Sequence, residues 1–72
     1  MNNLNVAKIQ LNGNSYEINT ETNLNQLLNK LKIQKNKVAV EVNGMIVAKN
    51  KYSNFILNKG DKVEIVHFIG GG

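Results

Sequence analysis

Val63-Glu64-Ile65-Val66-His67-Phe68-Ile69-Gly70-Gly71-Gly72 closes the 72-residue sequence, and its reading decides the fold. Side chains alternate across an extended chain, so Val63, Ile65, His67 and Ile69 share one side while Glu64, Val66 and Phe68 share the other. Both sides are largely apolar. That pattern belongs to a strand in the middle of a sheet, covered at least in part on each face, rather than to an edge. The run is therefore expected to be anchored. Three of the 6 glycines then follow it directly. Glycine has the greatest backbone freedom and no side chain to bury, so Gly70, Gly71 and Gly72 are expected to form a mobile tail leaving a fixed strand. Without Cβ atoms such a tail can thread a narrow channel in a partner and present the Gly72 carboxylate at a reactive centre.

Upstream of this run, Lys59-Gly60-Asp61 reads as the turn that feeds it. Residues 49–58 have no strict period, although Tyr52, Phe55, Ile56 and Leu57 are placed to tuck a helical turn and an extended segment under a sheet. Residues 37–42, with Val38, Val40 and Val42 in step, form the clearest alternating strand, and Asn43-Gly44 turns it into a short strand over residues 45–48. Leu24, Leu27, Leu28 and Leu31 recur at i, i+3, i+4 and i+7, which is one face of a helix running to Ile33 and ended by Gln34-Lys35-Asn36. Thr22 is the expected N-cap, with Glu21 suited to the positive end of the helix dipole. In a chain this short the core needs the leucines, each of which contributes about 1.5–3 kcal/mol on burial. At the start, Val6–Leu11 alternates with one wet face, and Asn12-Gly13-Asn14 turns it into a returning strand over residues 15–19, with Tyr16 and Ile18 on one side. Residues 1–5 are polar and expected to fray.

Composition excludes several classes of function. A chain of 72 residues is read as one domain over residues 1–72; chains of about 60 residues bury only about 60% of the surface the unfolded chain exposes. There is no Cys and a single His, His67, so neither a disulfide framework nor a zinc constellation can be built, and Ser15 and Ser53 have only His67 as a conceivable histidine base, with no spacing that ties them into a triad. His67 itself reads as incidental. No run approaches the length of a membrane span and the N-terminus has no signal-like region, which points to a soluble cytoplasmic protein without membrane contact. The net charge of +4 comes from nine lysines, densest at Lys30, Lys32, Lys35 and Lys37, with no Arg and 6% aromatic residues. Arginine is the better residue for bidentate phosphate contacts and aromatics for base stacking, and lysines near a helix C-terminus complement its dipole. Nucleic-acid binding is not expected.

The element order is hairpin, helix, strand, short strand, irregular connection and final strand. The helix must cover one face of the sheet and the last strand must lie beside the first, running parallel to it. This is an α+β fold of the β-grasp (ubiquitin-like) type, a mixed four- to five-stranded sheet packed on one helix. Ile9-Gln10-Leu11-Asn12-Gly13, Val40-Glu41-Val42-Asn43-Gly44, Gly60-Asp61 and the closing run from Glu64 to Gly72 together resemble the ubiquitin-like sulfur carriers of the ThiS family, from about Lys8 onward. The closing run is the specific part of the resemblance; the Asn-Gly turns support it.

The resemblance implies a protein cosubstrate rather than an enzyme, with no bound cofactor. A terminal carboxyl has a pKa of about 3.3–3.7, so Gly72 ends in a resonance-stabilised anion that needs activation. In the family a ThiF-like adenylating enzyme uses ATP to form an acyl-adenylate there. A persulfide donor, such as a cysteine desulfurase, then supplies the sulfur of a thiocarboxylate, and thiazole synthase accepts it during thiamine biosynthesis. Gly72 would be the reactive end, Gly70 and Gly71 the threading tail, and Val66, Phe68 and Ile69 a docking surface on a carrier that is monomeric when free. Exposed apolar area of this kind commonly marks a partner site. The small subunit of molybdopterin synthase, a ubiquitin-like protein modifier and a basic RNA-binding module are the alternatives.

Overall fold

The two Asn-Gly pairs set the register of the sheet. Asn12 and Gly13 have φ of 48° and 86°, and Asn43 and Gly44 have φ of 54° and 86°. Positive φ at both central positions is the type I′ turn, whose twist matches that of paired strands. Each therefore closes a two-residue hairpin. β1 (Val6–Leu11) returns as β2 (Asn14–Asn19), and β3 (Val38–Val42) returns as β4 (Met45–Ile46). The structure, a computed structural model, describes residues 5–69. The expectations for residues 1–4 and for the Gly70-Gly71-Gly72 tail lie outside the described residues.

α1 (Leu24–Leu31) puts Leu24, Leu27 and Leu28 into the core, with Leu31 packed at its margin. Its N-cap is Asn23, not Thr22. The Asn23 Oδ1 accepts from the Gln26 backbone N–H at 2.8 Å, and the Gln26 Oε1 accepts from the Asn23 N–H at 2.9 Å, a reciprocal capping box that Thr22 has no partner to build. The Thr22 hydroxyl donates instead to the Asn19 carbonyl. Glu21, at φ 65°, sits in the turn before the cap and outside the first helical turn. The helix also ends earlier than expected, because Lys32 adopts φ 59° and its N–H bonds back to Asn29 while Ile33 bonds to Leu28. A left-handed residue in that position closes a helix, a place usually taken by glycine.

β5 (Lys62–His67) lies at the centre of the sheet, in the order β2-β1-β5-β3-β4. It pairs parallel with β1 through Gln10↔Lys62 and Leu11↔Val63, and antiparallel with β3 from Val42↔Val63 to Val38↔His67. This is the expected β-grasp arrangement, a mixed five-stranded sheet on one helix. Several bounds are tighter than the sequence pattern indicates. Residues Lys35–Lys37 form a 3₁₀ turn, so β3 begins at Val38, and β4 is only two residues long because the chain lifts away into a second 3₁₀ stretch, Lys49–Asn54. Residues 55–57, just past that stretch, are tied to the helix start: Leu24 N–H bonds to the Phe55 carbonyl at 3.1 Å, and Leu57 N–H to the Thr22 carbonyl at 2.9 Å. Tyr52 and Leu57 are buried as expected, Phe55 is packed against the core, and Ile56 is exposed. The Tyr52 hydroxyl is buried and makes no hydrogen bond of good geometry. Burial pushes its pKa above the usual 10.0, offset in part by a weak hydrogen bond with the Val40 backbone.

β5 is the central strand, as expected, and its two faces are covered unequally. Its Val63 and Ile65 side is buried, but its other side faces away from the only α-helix among the described residues and stays open. One helix covers one face of a sheet, and no other described element crosses to the second.

Candidate functional site

The site is the open face of β5 and the point where the chain leaves it. The strand is held at its start by two asparagine side chains. Asn12 Nδ2 donates to the Ile65 carbonyl at 3.1 Å and Asn12 Oδ1 accepts from the Ile65 N–H at 2.7 Å, so this side chain prolongs the short parallel ladder from β1. Asn43 Oδ1 accepts from the Lys62 N–H at 3.0 Å, while its Nδ2 reaches the Asp61 carboxylate at 3.0 Å. The Asn-Gly pairs are therefore clamps on the central strand as well as turns. Positive φ at Asn aims the side chain across the sheet, and no sequence pattern signals it.

At its far end β5 runs out against the first residues of β3. Phe68 N–H bonds to the Lys37 carbonyl at 2.9 Å, extending the ladder by one position past His67. The Lys49 Nζ donates to the Val38 carbonyl at 3.1 Å and lies 5.3 Å from the centre of the Phe68 ring. Val66 is 52% exposed, Phe68 54% and Ile69 98%. The structure thus places all three sequence-derived docking residues at the surface, and it sets Val66 opposite Ala39 on the open face. Gly70, Gly71 and Gly72 continue from this point outside the described residues.

Two apolar side chains escape the sequence reading. Met45 and Ile46, at 74% and 72% exposed, read in sequence as an ordinary short strand. Ile46 pairs with Glu41, which pairs with Glu64, so it belongs to the same open face as Val66. Beside them runs an apolar groove of about 500 Å³ lined in part by Val42, Val47, Ala48 and Phe55. A two-residue edge strand after a tight turn has no neighbour to cover it, which is the one signal the sequence carries.

Among the described residues no group of three His, Asp or Glu side chains converges as metal ligands would, and there is no Cys. His67 is exposed and is the single histidine of the chain. What the geometry offers is an anchored central strand that leads, at the exposed Ile69, out beside an apolar face.

The model of the ThiS family matches residues 9–72, which includes the whole closing run. The chain belongs to the ThiS family. Among solved structures, this family member is similar to the thiamine biosynthesis protein ThiS of Geobacter metallireducens, with a TM-score of 0.77 and 32% identity over 90% of this chain and 99% of that one. It is 37% identical over 65 residues to the sulfur carrier protein ThiS of Bacillus subtilis, covering 89% of this chain and 98% of that protein. The fold and the family are those of the sulfur carriers of thiamine biosynthesis. The chain is also 43% identical over 65 residues to a thiazole synthase of Magnetococcus marinus, and equally so to one of Paramagnetospirillum magneticum. Those matches take in 90% of this chain but only 20% of the length of either synthase. Among the described residues no helix is long and apolar enough to cross a membrane.

Proposed function

We propose that this ThiS-family chain carries sulfur on a Gly72 thiocarboxylate and delivers it to thiazole synthase, acting as a cosubstrate in the cytoplasm with no cofactor of its own. Gly72 is the carboxyl end at which a ThiF-like enzyme transfers AMP from ATP, releasing pyrophosphate. The terminal sulfur of a persulfide donor, held by a cysteine desulfurase or similar protein, displaces AMP. A thiol then cleaves the resulting acyl disulfide and leaves the thiocarboxylate. Gly70 and Gly71 pass through the partner's channel, and Val66, Phe68 and Ile69 dock beside it. The observation that carries this reading is the exposed Ile69, which leads out of an anchored central strand and straight into the closing glycines.

Thiazole synthase is favoured over a molybdopterin-forming acceptor by one finding. In two bacteria a segment 43% identical to this chain forms part of a protein named thiazole synthase. Intact-protein mass spectrometry tests the reading. The chain is incubated with ATP, a ThiF-type enzyme and a persulfide source, alongside a form lacking Gly72. The expected result is a mass gain of one sulfur for one oxygen, absent from the deletion. No gain with an enzyme demonstrably active on another carrier overturns it.

A further inference from the structure

We infer that Lys49 is a positioning residue for the carrier tail, an inference that rests on the function proposed above. The sheet leaves one backbone group over at its rim. Along β3, carbonyls alternate between its two neighbours. Lys37 accepts from Phe68 on the β5 side, so the Val38 carbonyl faces the β4 side. There the ladder has already ended: Val40 accepts from Val47, and β4 stops at Ile46. The Lys49 ammonium takes the vacant donor position at 3.1 Å.

The same ammonium lies 5.3 Å from the centre of the Phe68 ring, within the reach of a cation–π contact. One charged group therefore joins the first residue of β3 to the second-last described residue before the tail. Its own placement is firm. Lys49 opens the 3₁₀ stretch Lys49–Asn54, which the fully buried Tyr52 pins into the core. The restraint runs from the core through Tyr52 to Lys49 and from Lys49 to the root of the tail. A root held at both the Phe68 N–H and the Phe68 ring fixes the point from which the tail departs. Displacing a reacting group by about 1 Å can lower a rate on the order of a hundredfold, so a fixed point of departure matters to a carboxylate that must reach a distant reaction centre. Lys49 touches no reacting atom; it acts through Phe68.

The test pairs a structural readout on the free protein with kinetics on a ThiF-type enzyme already shown to adenylate the wild-type chain. In Lys49→Met the ¹⁵N order parameters of Phe68 and Ile69 fall. The kcat of ATP-dependent adenylation drops roughly five- to tenfold with a smaller change in KM, while Lys49→Arg restores both, since it keeps the cation and the donor. If Lys49→Met does not fold, Lys49→Gln, which retains an amide donor for the Val38 carbonyl, takes its place with the same expectation for the Phe68 ring. Unchanged order at Phe68 together with unchanged kcat overturns the inference, as does a loss that Arg fails to restore. Failure of the wild-type chain to gain sulfur would overturn the proposed function instead, and the order parameters would still decide whether Lys49 holds the tail root.

Discussion

Val63 and Ile65 are 1% and 7% exposed on one side of β5, whereas Val66 and Phe68 on the other are 52% and 54% exposed. The four residues are of similar hydrophobicity and belong to one short run, so composition does not separate them. Position does. The first pair faces α1 and the Tyr52 segment; the second faces no covering element among the described residues. Apolar side chains on the first side secure the fold, and those on the second are available to a partner. Substitutions on the two sides should therefore fail in different assays.

The sharpest contrast is Ile65→Ala against Phe68→Asp. Truncating a buried Ile costs about 2–5 kcal/mol, a large part of the about 4–11 kcal/mol expected of a chain this size. Urea titration of Ile65→Ala should show a midpoint shifted far down or no folded baseline. Phe68→Asp should move the urea midpoint little, because surface substitutions usually stay within about 0.5 kcal/mol and the loss of the Lys49 contact adds about as much again. Its effect should appear in calorimetric binding to a ThiF-type enzyme, as an affinity roughly tenfold or more weaker. An unfolded Phe68→Asp would place Phe68 in the core and dissolve the distinction between the faces.

The clamps on β5 give a smaller effect and a second contrast. Asn12→Gly keeps the turn's positive φ but removes both bonds to Ile65, leaving a partly buried N–H and carbonyl unpaired at about 1–3 kcal/mol. Asn43→Gly removes bonds that are exposed, where water replaces the lost partners, and should cost less than about 1 kcal/mol. Equal losses in thermal melts would mean that the Asn12 side chain adds nothing beyond turn geometry.

Much of the fold is legible because its punctuation is local. Two Asn-Gly pairs and strict alternation at Val38, Val40 and Val42 are properties of adjacent residues, and they locate the hairpins and the central pairing. The helix cap is local too, but Thr22 looks a better cap than Asn23 until the reciprocal partner three residues on, Gln26, is weighed. The early helix end at Lys32 is not legible, since a lysine in the left-handed region leaves no compositional mark. The open face is legible in another way: apolar character on both sides of β5 marks a central strand, and the count of covering elements, one helix for two faces, leaves Val66 and Phe68 on the barer side. The Lys49 contact with Phe68 joins residues distant in sequence, and no periodicity encodes it.

Tyr52 supplies the smallest effect at neutral pH and tests the buried side from within. Its ring is fully buried but its hydroxyl makes no hydrogen bond of good geometry. Tyr52→Phe keeps the packing and removes the poorly paired group, so at pH 7 its stability should match the wild type or exceed it by up to about 1 kcal/mol. The difference grows in alkali. Burial raises the Tyr52 pKa in the folded chain above its unfolded value, which is about 10. Between those two values the unfolded chain has lost its phenol proton while the folded chain retains it, so the unfolded state binds fewer protons and stability falls as pH rises. That contribution is intact below about pH 10 and is lost progressively above it. Urea titrations of both proteins from neutral to strongly alkaline pH should therefore diverge above about pH 10, with the wild type falling faster, because the two proteins differ only at residue 52. Parallel curves would mean that the Tyr52 hydroxyl reaches water, and that the helix-covered side of the sheet is partly open as well.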